Sequence, residues 1–225
     1  STNWTDSGSA KADVFKMDIY NGKLTRTGKA PIGYADILAD NKGVPRVALG
    51  LDDKANKHVF LATPDGEWVE NEALNKVYQF NAIRMLPDQS GFYFSGRMDH
   101  NFTGLYQYIF ADKRISKLYE SNKIDITKPL FSTDGESIYA VRVDEGYPSY
   151  LLLNKESTDA KVFRGLIEKF KGADVVLTSQ TTDGQLRIVR VEADQLAPIY
   201  FIHDNATGKT TRLLDSYPDL HGVKL

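Results

Sequence analysis

The chain contains no cysteine, only two tryptophans and three methionines among 225 residues, and no long apolar run. The first absence excludes a disulfide framework, a thiolate nucleophile and any cysteine-ligated metal, and it fits a reducing or an oxidising compartment equally well. No stretch approaches the roughly 18 apolar residues of a membrane-spanning helix, and the opening "STNWTDSGSAKAD" holds no apolar segment of the signal-peptide kind. The expectation is a soluble protein, cytoplasmic or periplasmic, without membrane contact. Charge of one sign is missing too. The 28 basic and 30 acidic residues leave −2, the pI is near 6.1, and the basic residues are scattered. No electrostatic footprint for nucleic acid remains. Four histidines, His58, His100, His203 and His221, stand without an i, i+4 pair or a cysteine partner, so neither a metal nor another cofactor is expected.

What is present is the composition of strands. Twelve tyrosines and eleven phenylalanines, with Val, Ile and Thr in short runs between Gly, Asp and Asn, favour pleated, half-buried surfaces. Helical periodicity is scarce. The exception is "VFRGLIEKF", where Val162, Phe163, Leu166, Ile167 and Phe170 share one helical face, which predicts a short amphipathic helix near residues 160–171 packed on neighbouring strands.

The strand runs repeat. "ADNKG" ending at Gly43, "LPDQSG" at Gly91, "STDG" at Gly135 and "TTDG" at Gly184 lie about 44 to 49 residues apart, and these four glycines are read as structural turn positions. After each turn comes a strand-like run ("VPRVALGL", "FYFSGRM", "ESIYAVRV", "QLRIVRVE"), followed by a second apolar run ("KHVFLAT", "GLYQYIF", "SYLLLN", "PIYFIHD"). Four strands in a unit of this length match a β-propeller blade. The fold class expected is all-β, a propeller of four-stranded antiparallel blades forming a partial ring of about four and a half blades. Residues 1–225 then form one propeller region: an outer half blade over 1–30 around the Asn21-Gly22 turn, blades over 31–76, 77–124, 125–172 with the helix, and 173–220, and the start of a linker at 221–225.

The run from Val175 to Leu220 resembles the last propeller blade of bacterial serine peptidases of the prolyl oligopeptidase family, including its acylaminoacyl-peptidase and dipeptidyl-peptidase-like members. The resemblance is carried by Ser179, Asp183 and Gly184, then Asp194 and Pro198, then Tyr200, Phe201 and Asp204, then Pro218 and Leu220. Ala197-Pro198 stands where the family usually has Pro-Gly. Upstream, "NKGVPRVALGLDD", "NAIRMLPDQSGFYFSGR" and "FSTDGESIYAVRV" are similar to earlier blades of the same proteins. The family's nucleophile sits in a Gly-x-Ser-x-Gly elbow on an α/β-hydrolase domain, and no such elbow occurs here. The resemblance therefore implies the non-catalytic propeller portion, a cover and substrate-size filter. Its partners would be the parent's own hydrolase domain and peptide substrates. No catalytic residue is assigned within this chain.

Loops between the second and third strands of successive blades project from one face. That makes Arg97, Asp99 and His100, with Arg142, Asp144 and Glu145, candidates for contact with hydrolase or substrate. Two other readings stay open: a stand-alone propeller that binds a protein or peptide, and a propeller glycosidase in which Asp144 or Glu145 pairs with Glu192 or Asp194. "LDDKANKH" and "MDHNFTG" place carboxylates beside Asn but lack the spacing of a calcium loop, and are read as solvated loops. The sequons at Asn3, Asn101 and Asn205 matter only in a secretory eukaryotic chain. Trp4 and Trp68 are read as packing residues.

Overall fold

The computed structural model describes residues 11–99, 101–144 and 146–220. Within the chain two compact units are distinguished, Ser1–Asp125 and Ile126–Leu225. Both are all-β, built from antiparallel sheets whose strands follow one another in sequence order, the blade pattern expected from the repeat.

In the first unit, β1 (Asp13–Met17) and β2 (Leu24–Lys29) form a two-stranded hairpin. One four-stranded sheet follows, made of β3 (Asp36–Ala39), β4 (Pro45–Leu51), β5 (Lys57–Ala62) and β6 (Trp68–Glu70). A single helical turn, α1 (Glu72–Asn75), leads to a second sheet of β7 (Tyr78–Met85), β8 (Gly91–Arg97), β9 (Gly104–Ile109) and β10 (Arg114–Tyr119). The two four-stranded sheets bury a common core: Val47 and Val59 from one meet Phe80, Phe92, Phe94 and Tyr108 from the other. Strand β8 is buried on both faces, which explains why its sequence, "GFYFSGR", is a run of aromatics rather than an alternation. Trp68 in β6 donates its indole N–H to the Lys29 carbonyl at the end of β2, at 2.9 Å.

In the second unit, β11 (Ile126–Phe131), β12 (Ile138–Asp144) and β13 (Pro148–Leu152) form a three-stranded sheet, and β14 (Asp174–Gln180), β15 (Leu186–Ala193), β16 (Leu196–Asp204) and β17 (Thr210–Asp215) a four-stranded one. Between them runs α2 (Thr158–Lys169), followed at the end of the described chain by a 3-10 turn at Pro218–Leu220. The helix starts two residues before the predicted position because the Ser157 hydroxyl caps it, accepting the Ala160 N–H at 3.1 Å. It buries Phe163 and Leu166, with Val162, Ile167 and Phe170 packed alongside. A helix thus follows β13 where the other repeats have a fourth strand.

The turn glycines divide into two kinds. Gly43, Gly135 and Gly184 have φ of +80°, +78° and +69°, a region costly for residues with a Cβ. Each closes its turn by donating to a carbonyl three residues back, those of Asp40, Ser132 and Thr181. Gly91 corrects the reading of the second repeat, because it is not the turn position. Gln89 is, with φ of +60° and its N–H on the Leu86 carbonyl at 2.9 Å. Gly91 instead opens β8, and a Cβ there would stand 1.9 Å from the Tyr108 carbonyl oxygen, so glycine is required by the close approach of β9.

Candidate functional site

In a four-stranded antiparallel meander, the loop joining strands two and three, the entry to strand one and the exit of strand four lie at one end of the sheet. Arginines mark that end in both units. In the first unit, Arg97, the last residue of β8, places a guanidinium nitrogen 3.4 Å from the Asp125 carboxylate, directly before β11, and its guanidinium stands 5.8 Å from the centre of the Tyr78 ring. Asp125 also accepts the Thr103 N–H at 2.6 Å; that bond first, and then Arg97, holds its carboxyl below the usual range. In the second unit, Arg142 near the end of β12 reaches Asp174, the first residue of β14, at 3.4 Å. In each unit, then, an arginine near the end of a sheet's second strand pairs with an aspartate farther along the chain.

Around the second clasp the chain forms a cleft of about 810 Å3. Its charged wall comes from Arg142, Asp144, Asp174, Glu192 and Asp194. Two exposed tyrosines, Tyr147 at 67% and Tyr217 at 59%, flank it. Tyr150 supports the wall from beneath: its hydroxyl donates to Asp174 and accepts the Val175 N–H at 3.1 Å. Burial, and then the bond to Asp174, push its phenol well above the ordinary value. Glu192 is paired with Arg190 at 2.9 Å, and Asp144 accepts the Gly146 N–H at 3.1 Å. Among the described residues, no serine, threonine or histidine lines the cleft. It offers charge, hydrogen bonding and aromatic surface.

Asp144, Glu192 and Asp194 of the glycosidase reading are thus gathered in one cleft, while Glu145 lies outside the described residues. Arg97 and Asp99 belong to the first unit, Arg142 and Asp144 to the second; His100 lies outside the described residues. So do Asn3, Trp4, His221 and the expected linker at 221–225. Asp125 and Asp174 escaped the sequence reading, although a signal existed: an aspartate precedes the apolar run of the inner strand in both "IDITKPLF" and "ADVVLTSQ".

The remaining histidines serve local structure. His58 bridges Glu70 at 2.6 Å and Asp52 at 3.3 Å, and these bonds raise its pKa. Asp52 itself accepts the N–H groups of Lys54 and Asn56 and the Asn56 amide, so the carboxylate of this loop is satisfied from within. His203 is buried and bonds Thr210 at 3.0 Å; burial lowers its pKa. Among the described residues no group of three or more such side chains could hold a metal ion, and no helix is long and apolar enough to cross a membrane.

Comparison with known proteins adds one informative relative. The chain resembles a dipeptidyl aminopeptidase. It is 22% identical over 218 residues to dipeptidyl aminopeptidase BIII of Pseudoxanthomonas mexicana, a match that takes in 95% of this chain. The chain spans 31% of that relative's length. No family model matches. Among solved structures, TolB from Acinetobacter baumannii aligns with a TM-score of 0.48 and 17% identity, over 89% of this chain and 48% of that one. The periplasmic gluconolactonase PpgL of Pseudomonas aeruginosa aligns at 0.35 and 15%, over 93% and 65%.

Proposed function

We propose that this chain is the propeller portion of a prolyl oligopeptidase-type serine peptidase of dipeptidyl-aminopeptidase character, a non-catalytic cover and size filter for an α/β-hydrolase domain encoded elsewhere in the parent protein. The reading rests on one observation: nearly the whole chain is similar to less than a third of a dipeptidyl aminopeptidase, and it contains no Gly-x-Ser-x-Gly elbow. Acyl transfer needs an activated nucleophile, a base within hydrogen-bond reach and an oxyanion hole. A stack of blade-like sheets contributes something else, a rigid wall that admits short or unfolded peptides and excludes folded ones and bulk water.

The cleft at the exit end of β17 is compatible with that role. Strand β17 finishes opposite Ile199, beside the β15–β16 turn, so the chain leaves the sheet next to Tyr217 and the charged wall. Arg97, Asp99, Arg142 and Asp144 are the proposed contacts to hydrolase or substrate. The test is to treat the 225-residue protein with a serine-directed fluorophosphonate and an aminoacyl-arylamide panel. Neither labelling nor turnover is expected. Labelling, or turnover abolished by the fluorophosphonate, would overturn the non-catalytic reading.

A further inference from the structure

The hairpin of β1 and β2 carries the only Asn-Gly pair of the sequence, Asn21-Gly22, at its tip. The base of the hairpin is anchored. Lys16 Nζ donates to the Lys42 carbonyl at 3.3 Å, Trp68 to that of Lys29, and a Cβ on Gly28 would stand 3.1 Å from Pro45 Cγ. The tip lacks such support: Ile19 and Tyr20 are 80% and 93% exposed, and a Cβ on Gly22 would meet nothing within 4 Å. Hydrogen bonds rather than packing hold it. The Gly22 N–H donates to the Asp18 carbonyl at 2.8 Å and the Asp18 N–H to that of Lys23 at 2.9 Å. The Asp18 carboxylate accepts the Tyr20 N–H and the Asn21 side-chain amide, both at 2.9 Å, and Asn21 Oδ1 accepts the Lys23 N–H at 2.9 Å.

This arrangement assembles a ring closure and restrains it. The bond from the Lys23 N–H to Oδ1 folds the Asn21 carbonyl back across the intervening Gly22 amide, and the same donor stabilises negative charge that develops on Oδ1. Gly22, without a Cβ, leaves the approach open. The restraint lies in the nucleophile. While the Gly22 N–H donates to the Asp18 carbonyl its nitrogen keeps its proton, so attack waits for a local opening of the turn. We infer that Asn21 is a site of spontaneous deamidation whose rate is set by opening of the turn that Asp18 holds. The Gly22 nitrogen loses its proton to solvent and bonds to Asn21 Cγ, the Cγ–Nδ2 bond breaks, and Nδ2 takes a proton from solvent and leaves as ammonia. Water then opens one of the two C–N bonds of the resulting succinimide, which leaves aspartate at position 21 or an isoaspartyl link that runs the backbone through the side chain. Either product sets a carboxylate where an amide had donated to Asp18, so an attraction becomes a like-charge repulsion. The isoaspartyl link also lengthens the tip and strains the pairing of Met17 with Leu24. The inference does not depend on the peptidase reading.

The test is to age the 225-residue protein in mildly alkaline buffer and map it with trypsin, because cleavage after Lys16 and Lys23 releases a peptide, Met17–Lys23, whose single asparagine is Asn21. That peptide should accumulate in its acid forms, read by mass and by labelling with an isoaspartyl methyltransferase, ahead of every other asparagine-containing peptide. A synthetic peptide of the same sequence should convert about tenfold faster than the folded protein, the factor that a local opening cost of about 1.4 kcal/mol imposes. Asp18→Ala, at an exposed position, removes two of the bonds that hold the tip, so it should convert several-fold faster than wild type with the same melting temperature. After conversion, amide-exchange protection should fall in β1 and β2 and persist in β4 and β5. Conversion at Asn21 no faster than at the other asparagines, a protein rate equal to that of the free peptide, an Asp18→Ala rate at or below wild type, or unchanged protection in β1 and β2 after conversion would each overturn the proposal.

Discussion

The two units solve the same packing problem with different materials. In the first, two sheets meet face to face, and the core is largely aromatic: Phe92 lies within 5.4 to 6.4 Å, centre to centre, of Phe80, Phe94, Tyr108 and Phe110. In the second, a helix lies between the sheets. Phe163 projects from α2 against Tyr139 and Tyr150, at 5.4 and 4.9 Å, and the core around it mixes Ala140, Ala160, Val175, Val189 and Val191 with Leu130 and Leu166. The difference teaches how a repeat tolerates replacement of a strand. A helix is wider than a strand, and the sheet positions packed with it include the small residues Ala140, Val175, Val189 and Val191 beside the larger Leu130 and Tyr139.

Truncation probes this contrast most strongly. Phe92→Ala and Phe163→Ala each remove a fully buried ring and should cost about 3 to 5 kcal/mol, read from urea midpoints. The comparison is sharpened by amide hydrogen exchange. Phe92→Ala should lower protection chiefly in β4, β5 and β7–β9, and Phe163→Ala chiefly in β12, α2, β14 and β15. Equal loss in both units from either substitution would break the picture of two separate cores.

A second contrast is electrostatic. The second unit buries the Asp159–Arg187 pair, whereas the first keeps its His58–Asp52–Glu70 cluster near the surface. Asp159→Ala leaves a guanidinium buried without its counter-charge, and the expected loss is about 3 kcal/mol, measured by thermal or urea unfolding. Removing both partners, as Asp159→Ala with Arg187→Met, should recover much of that loss; a double variant no better than the single one would show that packing rather than charge was at stake.

The surface cluster should contribute least. Its carboxylates hold His58 protonated to a higher pH than usual, so its stabilisation is complete below the ordinary histidine pKa of about 6.5 and disappears as pH rises through the raised folded value. At the acidic end, Asp52 is lowered to about 2 by bonds from Asn56, and Glu70 is lowered chiefly by His58, so the carboxylate contribution is lost only as pH falls below the ordinary carboxylate range. The His58→Gln protein should therefore lose less stability than wild type between pH 6 and pH 9, by under about 1 kcal/mol because the groups are open to solvent. Identical pH profiles would remove the cluster from the account.

The sequence carried the fold further than the site. Alternation in "PRVALGL" and "LRIVRVEA", and Asp-Gly turns at a regular interval, marked strands and turns because backbone chemistry is local. Gly91 misled because a glycine in a strand, kept for the approach of Tyr108, looks in sequence like a glycine in a turn. The helix was visible in its apolar face, but the start at Thr158 was set by the Ser157 cap. Within the site, Arg142, Asp144, Glu192 and Asp194 were legible as loop charges at equivalent positions. Their gathering into one cleft with Tyr147 and Tyr217 was not, since it depends on how the β11–β13 and β14–β17 sheets pack.

The central claim, that this chain is the non-catalytic portion of a serine peptidase, is tested most directly by reading the gene that encodes it. The account predicts one continuous frame in which a Gly-x-Ser-x-Gly elbow, then an Asp and then a His follow the "SYPDL" segment on a domain of alternating strands and helices. A stop codon shortly after Leu225, with no hydrolase domain in the frame, would contradict it.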